Sequence, residues 1–222
     1  MAETAGADGI ELDLRLSRDG IPMVVHDETV ERVTDGRGAV AAMTRAELQA
    51  LDAGGWFAPA YAGERMPTLA EVLEWAGDRL LLNLEMKTAA VADAVLALLL
   101  SFPRVRVLFS SFDHRQLIDL RRRDPSLQVA FLIDTPFWRQ ALARAAACGA
   151  VGLHPRADRV GRLLVRACRR KGLAVYPWTV DDGAHLKRLL RLGVDGVFTN
   201  DPRRIVGCLE PDRFARGPTD AD

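Results

Sequence analysis

Four times in this chain a glycine at the end of a helical stretch is followed almost at once by a short aliphatic run. Gly6-Ala7-Asp8-Gly9-Ile10-Glu11 near the start is echoed by Gly193-Val194-Asp195-Gly196-Val197-Phe198 near the end. Cys148-Gly149-Ala150-Val151-Gly152-Leu153 and Lys171-Gly172-Leu173-Ala174-Val175-Tyr176 lie between them. Glycine takes the left-handed cap that stops a helix. The runs that follow are apolar throughout, as strands of a parallel sheet covered on both faces are. Residues 9–14, 80–85, 105–110, 128–133, 150–153, 173–178 and 194–199 read as strands alternating with helices. In 222 residues that rhythm predicts an α/β chain, with a TIM (β/α)8-type barrel favoured over an open doubly wound sheet. No G-x-G-x-x-G or G-K-[ST] motif supports nucleotide binding.

The intervening helices are amphipathic. Val160, Leu163, Leu164, Ala167 and Cys168 recur at helical spacing behind a candidate cap at Asp158, and Arg162, Arg166, Arg169 and Arg170 occupy the opposite face, which reads as a solvated outer surface. Leu186, Leu189 and Leu190 repeat the pattern. One segment breaks the rhythm. Asp19-Gly20 is a turn signal between two extended runs, so 14–27 reads as a hairpin that carries His26 back toward Glu11 and Asp13. An irregular stretch with a short helix capped by Thr44 and Glu47 follows, until the capping box Thr68-Leu69-Ala70-Glu71 restarts the alternation. An insertion of about 50 residues is long for a plain connection and is expected to be functional.

Lys+Arg and Asp+Glu both number 30, so the net charge is zero. That balance argues against a surface built for nucleic acid or an anionic membrane. Only Lys87, Lys171 and Lys187 are lysines, so a lysine at an unusual place stands out. Cys148, Cys168 and Cys208 cannot all pair and show no C-x-x-C spacing, which points to a reducing, cytoplasmic compartment. No apolar run reaches the length of a transmembrane helix, and the first residues lack the pattern of a signal peptide.

Polar residues gather at the predicted strand ends: Glu11 and Asp13, Glu85 and Lys87, Ser110 and Ser111, His154, Trp178 with Thr179, and Asn200 with Asp201. In a parallel barrel those ends form the rim that carries the active site. Side chains alternate along a strand, so Glu11 and Asp13 share one side, as do Glu85 and Lys87. Three converging carboxylates without thiolate or paired histidine ligands suit a hard divalent cation, Mg²⁺ or Ca²⁺. Lys87 beside them suits an anionic substrate. Acids at strand ends also cap helices or pair with arginines, and spacing alone leaves both readings open. His26 is a candidate general acid or base, or else a half-buried histidine ending an apolar strand. His114 and His185 fall in helical stretches and are expected to face solvent. His154 either lines the substrate site or is structural. Trp56-Phe57 is a lid or a local core, and Trp178 stacks on a ligand or plugs the barrel top.

Taken together, these residues resemble the glycerophosphodiester phosphodiesterase family. The resemblance is carried by Gly6-Ala7-Asp8-Gly9-Ile10-Glu11-Leu12-Asp13, Asp19-Gly20-Ile21-Pro22-Met23-Val24-Val25-His26-Asp27, Leu51-Asp52-Ala53-Gly54 with Trp56-Phe57, and Ala62-Gly63-Glu64-Arg65-Met66-Pro67-Thr68-Leu69. Leu84-Glu85-Met86-Lys87, Ser110-Ser111-Phe112-Asp113, Trp178-Thr179-Val180 and Gly193-Val194-Asp195-Gly196 with Thr199 complete it, in family order from residue 6 to about 205. It implies a TIM-type barrel of the phospholipase-C-like phosphodiesterase kind over 1–208, with an insertion over about 15–67 after the family's second strand, and a flexible tail over 209–222. It also implies metal-dependent hydrolysis of glycerophosphodiesters to sn-glycerol 3-phosphate and an alcohol. On the matching positions, Glu11, Asp13 and Glu85 are the implied metal ligands, Lys87 a phosphate contact, His26 one of two acid/base histidines, and Trp178 a wall of the glycerol pocket.

The family pattern opens with a strand ending in His-Arg-Gly and a first helix, and this sequence contains neither. The expectation is therefore an incomplete barrel from a longer protein, with open edges that invite self-association. Two other functions stay open: a paralogue that binds a phosphate ligand without turnover, and a related phosphodiesterase acting on lysophospholipids. The expected partner is a small-molecule glycerophosphodiester, with no nucleic acid.

Overall fold

The computed structural model describes residues 2–209. They divide into two compact units, Glu11–Ser111 and the residues on either side of it. The 209–222 tail lies outside the described residues except for Leu209, which ends the last helix. Among the described residues, no helix is long and apolar enough to cross a membrane.

The Glu11–Ser111 unit is entered along β1 (Gly9–Leu16), which turns through Asp19-Gly20 into β2 (Pro22–Val24). The two strands pair antiparallel with Leu14 opposite Val24 and Leu16 opposite Pro22, so the expected hairpin forms. Gly20 has φ +78°, the left-handed conformation that the turn needs and that glycine adopts without strain. Then come α1 (Arg45–Gln49), α2 (Leu69–Ala76), β3 (Leu81–Met86), α3 (Val91–Leu99) and β4 (Arg106–Ser111). The strand order is β2-β1-β3-β4, with β3 and β4 parallel. Both capping boxes form: Thr44 and Thr68 accept from the backbone N–H of Glu47 and Glu71, whose carboxylates accept from the threonine N–H groups at 2.7 Å.

The insertion packs a core of its own. Met23, Val25, Val30, Val40, Leu48 and Met66 are buried together, with Ile21, Val33, Met43, Leu51 and Ala53 against them. The loop that closes this core turns tightly at Gly54, where a Cβ would lie 1.9 Å from the Tyr61 carbonyl oxygen. Trp56 and Phe57 are not part of it. They stand 52% and 63% exposed, in a chain of ring contacts with Tyr61.

The other unit holds α4 (His114–Arg123), β5 (Val129–Ile133), α5 (Trp138–Cys148), β6 (Gly152–Pro155), α6 (Arg162–Arg170), β7 (Ala174–Val175), α7 (Gly183–Leu192) and α8 (Pro202–Leu209). Strands β5, β6 and β7 are parallel neighbours. The expected strand over 194–199 does not form, although Asp195 N–H donates to the Val175 carbonyl and Phe198 N–H to the Pro177 carbonyl. A ladder needs reciprocal donors. Pro177 has none, and the Val175 N–H is taken by the Asp195 carboxylate at 2.8 Å. Asp158 does not cap α6. It lies in a short 3-10 turn and pairs with Arg156, and Gly161 precedes the helix. Leu163, assigned to the apolar face, is 68% exposed.

Two histidines depart from expectation. His114 is half-buried, stacked on Phe131 with ring centroids 4.3 Å apart, and its Nε2 lies 2.8 Å from the Leu132 carbonyl oxygen. His185 lies 2.9 Å from the Arg188 guanidinium. His154 resolves as structural. It is fully buried between the rings of Tyr176 and Phe198, and neither ring nitrogen has a hydrogen-bond partner among the described residues.

Burial pushes the His154 pKa down to about 3. An unfolded histidine takes its proton near pH 6.5, so between the two values the unfolded chain binds the extra proton. Stability from this group is complete above about pH 6.5 and falls as pH drops, by about 1.4 kcal/mol per unit. Urea unfolding is expected to show a loss of about 2 kcal/mol from this group between pH 7 and pH 5. His154→Phe should lose that component of the slope, and an unchanged slope in the variant would refute the assignment.

Candidate active site

Strand β1 presents Glu11 and Asp13 on one side, two residues apart, while Leu14 on the other side is fully buried. Glu85 sits near the end of β3, opposite Ser110 of β4, and Lys87 follows just past it. Neighbouring β1 and β3 therefore bring three carboxylates together. One oxygen each of Glu11, Asp13 and Glu85 lies within 4.8 Å of the others. Lys87 Nζ donates to Asp13 at 2.8 Å and to Glu85 at 2.5 Å, all three side chains being largely buried. Its backbone N–H donates to the Leu14 carbonyl, fixing the register of the lysine against β1.

The electrostatics follow from crowding. Glu11 keeps one open face, but burial of the rest and the charges of Asp13 and Glu85 push its pKa up to about 8, against the pull of Lys87. Burial likewise raises Glu85, opposed by the Lys87 hydrogen bond. Burial alone would lower the Lys87 ammonium, yet its bonds to Asp13 and Glu85 outweigh that and hold it above the usual lysine range. A single ammonium does not satisfy three carboxylates at this spacing. The unmet charge and the all-oxygen donor set fit a hard divalent cation held by Glu11, Asp13 and Glu85.

His26 follows β2, and the hairpin holds it in place. The Val25 N–H donates to the Asp13 carbonyl and Arg15 Nε donates to the His26 carbonyl at 3.0 Å. The imidazole is exposed, with Nδ1 at 2.6 Å from Asp27 Oδ1. Asp27 also accepts from Arg32, through Nε and through Nη2 at 3.0 Å, and Arg32 first and His26 second hold its carboxyl far below the usual range. An imidazole whose Nδ1 is engaged by a carboxylate presents Nε2 outward, the arrangement of a general acid or base. A cavity of about 290 Å³ is lined by Glu11, Asp13 and His26 on one side and Ala53, Trp56 and Arg65 of the insertion on the other.

The structure thus brings together Glu11, Asp13, His26, Glu85 and Lys87. Trp178 belongs to the other unit, where its Nε1–H donates to the His154 carbonyl at 2.7 Å and its ring meets Phe112 edge-on at 5.6 Å. Ser110 and Ser111, expected at the rim, are buried and engaged, by Asn83 and by the Met86 carbonyl. Asn200 is tied to Asp181. Asp27 and Arg32 were assigned no role from sequence. The adjacency of His26 and Asp27 was the available signal.

The fold matches that of an Oleispira antarctica phosphodiesterase solved in complex with the product sn-glycerol-3-phosphate, with TM-score 0.86 and 29% identity, over 93% of this chain and 86% of that one. It also matches a Thermotoga maritima glycerophosphodiester phosphodiesterase with TM-score 0.77 and 30% identity, over 92% and 87%. Fold and site define a phosphodiester hydrolase on a TIM-barrel-like α/β architecture, the fold class read from the sequence. A glycerophosphodiester phosphodiesterase of Caldanaerobacter subterraneus is 38% identical over 214 residues, 92% of this chain and 86% of the relative. The sequence model of the glycerophosphoryl diester phosphodiesterase family matches residues 1–204, and the chain belongs to that family.

Proposed function

We propose that this protein hydrolyses glycerophosphodiesters to sn-glycerol 3-phosphate and an alcohol, a reaction of lipid breakdown, with residues 1–208 as one catalytic domain. The observation that carries the reading is the carboxylate triad within 4.8 Å with Lys87 bonded to two of its members. Glu11, Asp13 and Glu85 would hold Mg²⁺ or Ca²⁺, which when bound withdraws charge from the phosphate oxygens. Lys87 stands beside the triad as a second positive contact for the phosphate. His26 moves the proton: water adds to phosphorus as the bond to the alcohol oxygen breaks, and Nε2 serves the entering or the leaving oxygen while Asp27 holds Nδ1. Trp178 serves as an apolar wall for the glycerol moiety. Three free thiols suit a reducing, cytoplasmic setting.

The test is release of sn-glycerol 3-phosphate from glycerophosphocholine and glycerophosphoglycerol, with and without EDTA. Activity is expected to vanish with the chelator and return with excess Mg²⁺ or Ca²⁺, the more effective ion identifying the metal. Hydrolysis indifferent to EDTA would remove the metal assignment. Tight binding of glycerol 3-phosphate with no hydrolysis of any diester would favour the binding paralogue.

A further inference from the structure

We propose that the outer face of α6, continued by the exposed side of α7, docks on an anionic lipid bilayer. The neutrality of the chain averages over unlike parts. The Glu11–Ser111 unit has 10 Lys+Arg against 15 Asp+Glu, whereas the described residues of the other unit have 18 against 11. On α6 the buried face is Leu164, Val165, Ala167 and Cys168. Every other position is exposed: Arg162, Leu163, Arg166, Arg169 and Arg170. At 100° per residue these five span an arc of about 120°.

Arg169 also donates to the Gly193 carbonyl at 3.3 Å, tying α6 to the end of α7, where Lys187, Leu190 and Arg191 are exposed. Nearby arginines are spent internally. Arg156 and Arg159 face Asp158, and Arg188 donates to the Val160 and Ala157 carbonyls. Arg162, Arg166 and Arg170 have no ion pair among the described residues. Guanidinium groups pair with phosphate through two parallel hydrogen bonds.

Arginines alone would suit any polyanion. Leu163, 68% exposed within the same arc, separates the choices. A bilayer rewards a leucine flanked by arginines by taking it among the acyl chains while the cations meet the headgroups. A nucleic-acid backbone offers that leucine nothing. The surface would hold the enzyme where phospholipid breakdown releases glycerophosphodiesters, and it includes none of the residues assigned to catalysis.

The experiment is co-sedimentation of the full chain with vesicles of phosphatidylcholine alone and of phosphatidylcholine with one quarter phosphatidylglycerol. Binding is expected only to the anionic vesicles, with release in about 1 M salt. Arg166→Gln should weaken it about fivefold, and Arg162→Glu/Arg166→Glu/Arg170→Glu together at least a hundredfold. Leu163→Ser should weaken it about tenfold. Hydrolysis of a water-soluble glycerophosphodiester should be unchanged in all three variants, which also reports that they fold. Failure to bind the anionic vesicles, equal binding to both kinds, or wild-type binding by the single and triple arginine variants would overturn the proposal. So would displacement by a DNA duplex together with no effect of Leu163→Ser, which would identify a general polyanion surface instead.

Discussion

Glu85→Gln is expected to lower kcat/KM for glycerophosphodiester hydrolysis by about 10³-fold or more, near 4 kcal/mol of transition-state stabilisation. The substitution keeps the shape and removes the charge. It takes one negative charge from the triad and turns the charge-assisted bond from Lys87 into one to a neutral amide oxygen, leaving Asp13 the only ionised partner of the ammonium. Both effects fall on the phosphate-binding side of the reaction. The fold should survive, because glutamine has the same shape and the burial of Glu85 already opposes its charge. Thermal melting close to wild type alongside the lost activity is the expected pair of results. Trp178→Ala should cost much less, since it removes a wall and not a charge. If Glu85→Gln retained more activity than Trp178→Ala, the triad would not be the catalytic centre.

Replacing His26 by Ala is expected to cost about 10²–10⁴-fold in kcat, the range typical of a lost proton-transfer group. The leaving group sorts acid from base. If His26 delivers the proton to the departing alcohol, the loss is large for a choline ester. It shrinks for a p-nitrophenyl ester, whose phenolate departs without a proton. An equal loss with both leaving groups assigns His26 to the entering water instead. Asp27→Asn, which leaves Nδ1 a weaker partner, should show a smaller loss in the same direction, of about tenfold. No change in kcat for His26→Ala with either ester would exclude both roles.

The parts of the fold legible in the sequence were those fixed by local chemistry. Glycine caps marked the strand starts, Asp19-Gly20 marked the hairpin, and the two Thr…Glu boxes marked α1 and α2. The 194–199 run failed as a strand because ladder formation depends on what its neighbour can donate, and Pro177 and the Asp195 carboxylate are invisible to periodicity. Leu163 was misplaced for a related reason: spacing puts it at the edge of the apolar arc, and only the packing of α6 decides which edge is covered. At the site, period-two spacing exposed Glu11, Asp13, Glu85 and Lys87. The Asp27–Arg32 clamp on His26 depends on the path of an irregular loop, which no residue pattern specifies. The segregation of charge follows the boundaries of the two units, which the neutral overall composition hides.

The order in which the site assembles follows from how its parts are spaced along the chain. The Val25–Asp13 contact closes a loop of about a dozen residues, a small entropic cost, whereas Lys87 must find Leu14 across some seventy. The hairpin with its histidine is therefore the early, local event, and docking of β3 on β1 the late one. Had Glu85 come to β1 alone, a third negative charge would have entered beside Glu11 and Asp13 and resisted that docking. Lys87 lies two residues further along the same chain, so the counter-charge travels with the carboxylate and arrives in the same step. The residue assigned to hold the substrate phosphate thus also offsets, during folding, part of the repulsion that opposes closing the acidic cluster.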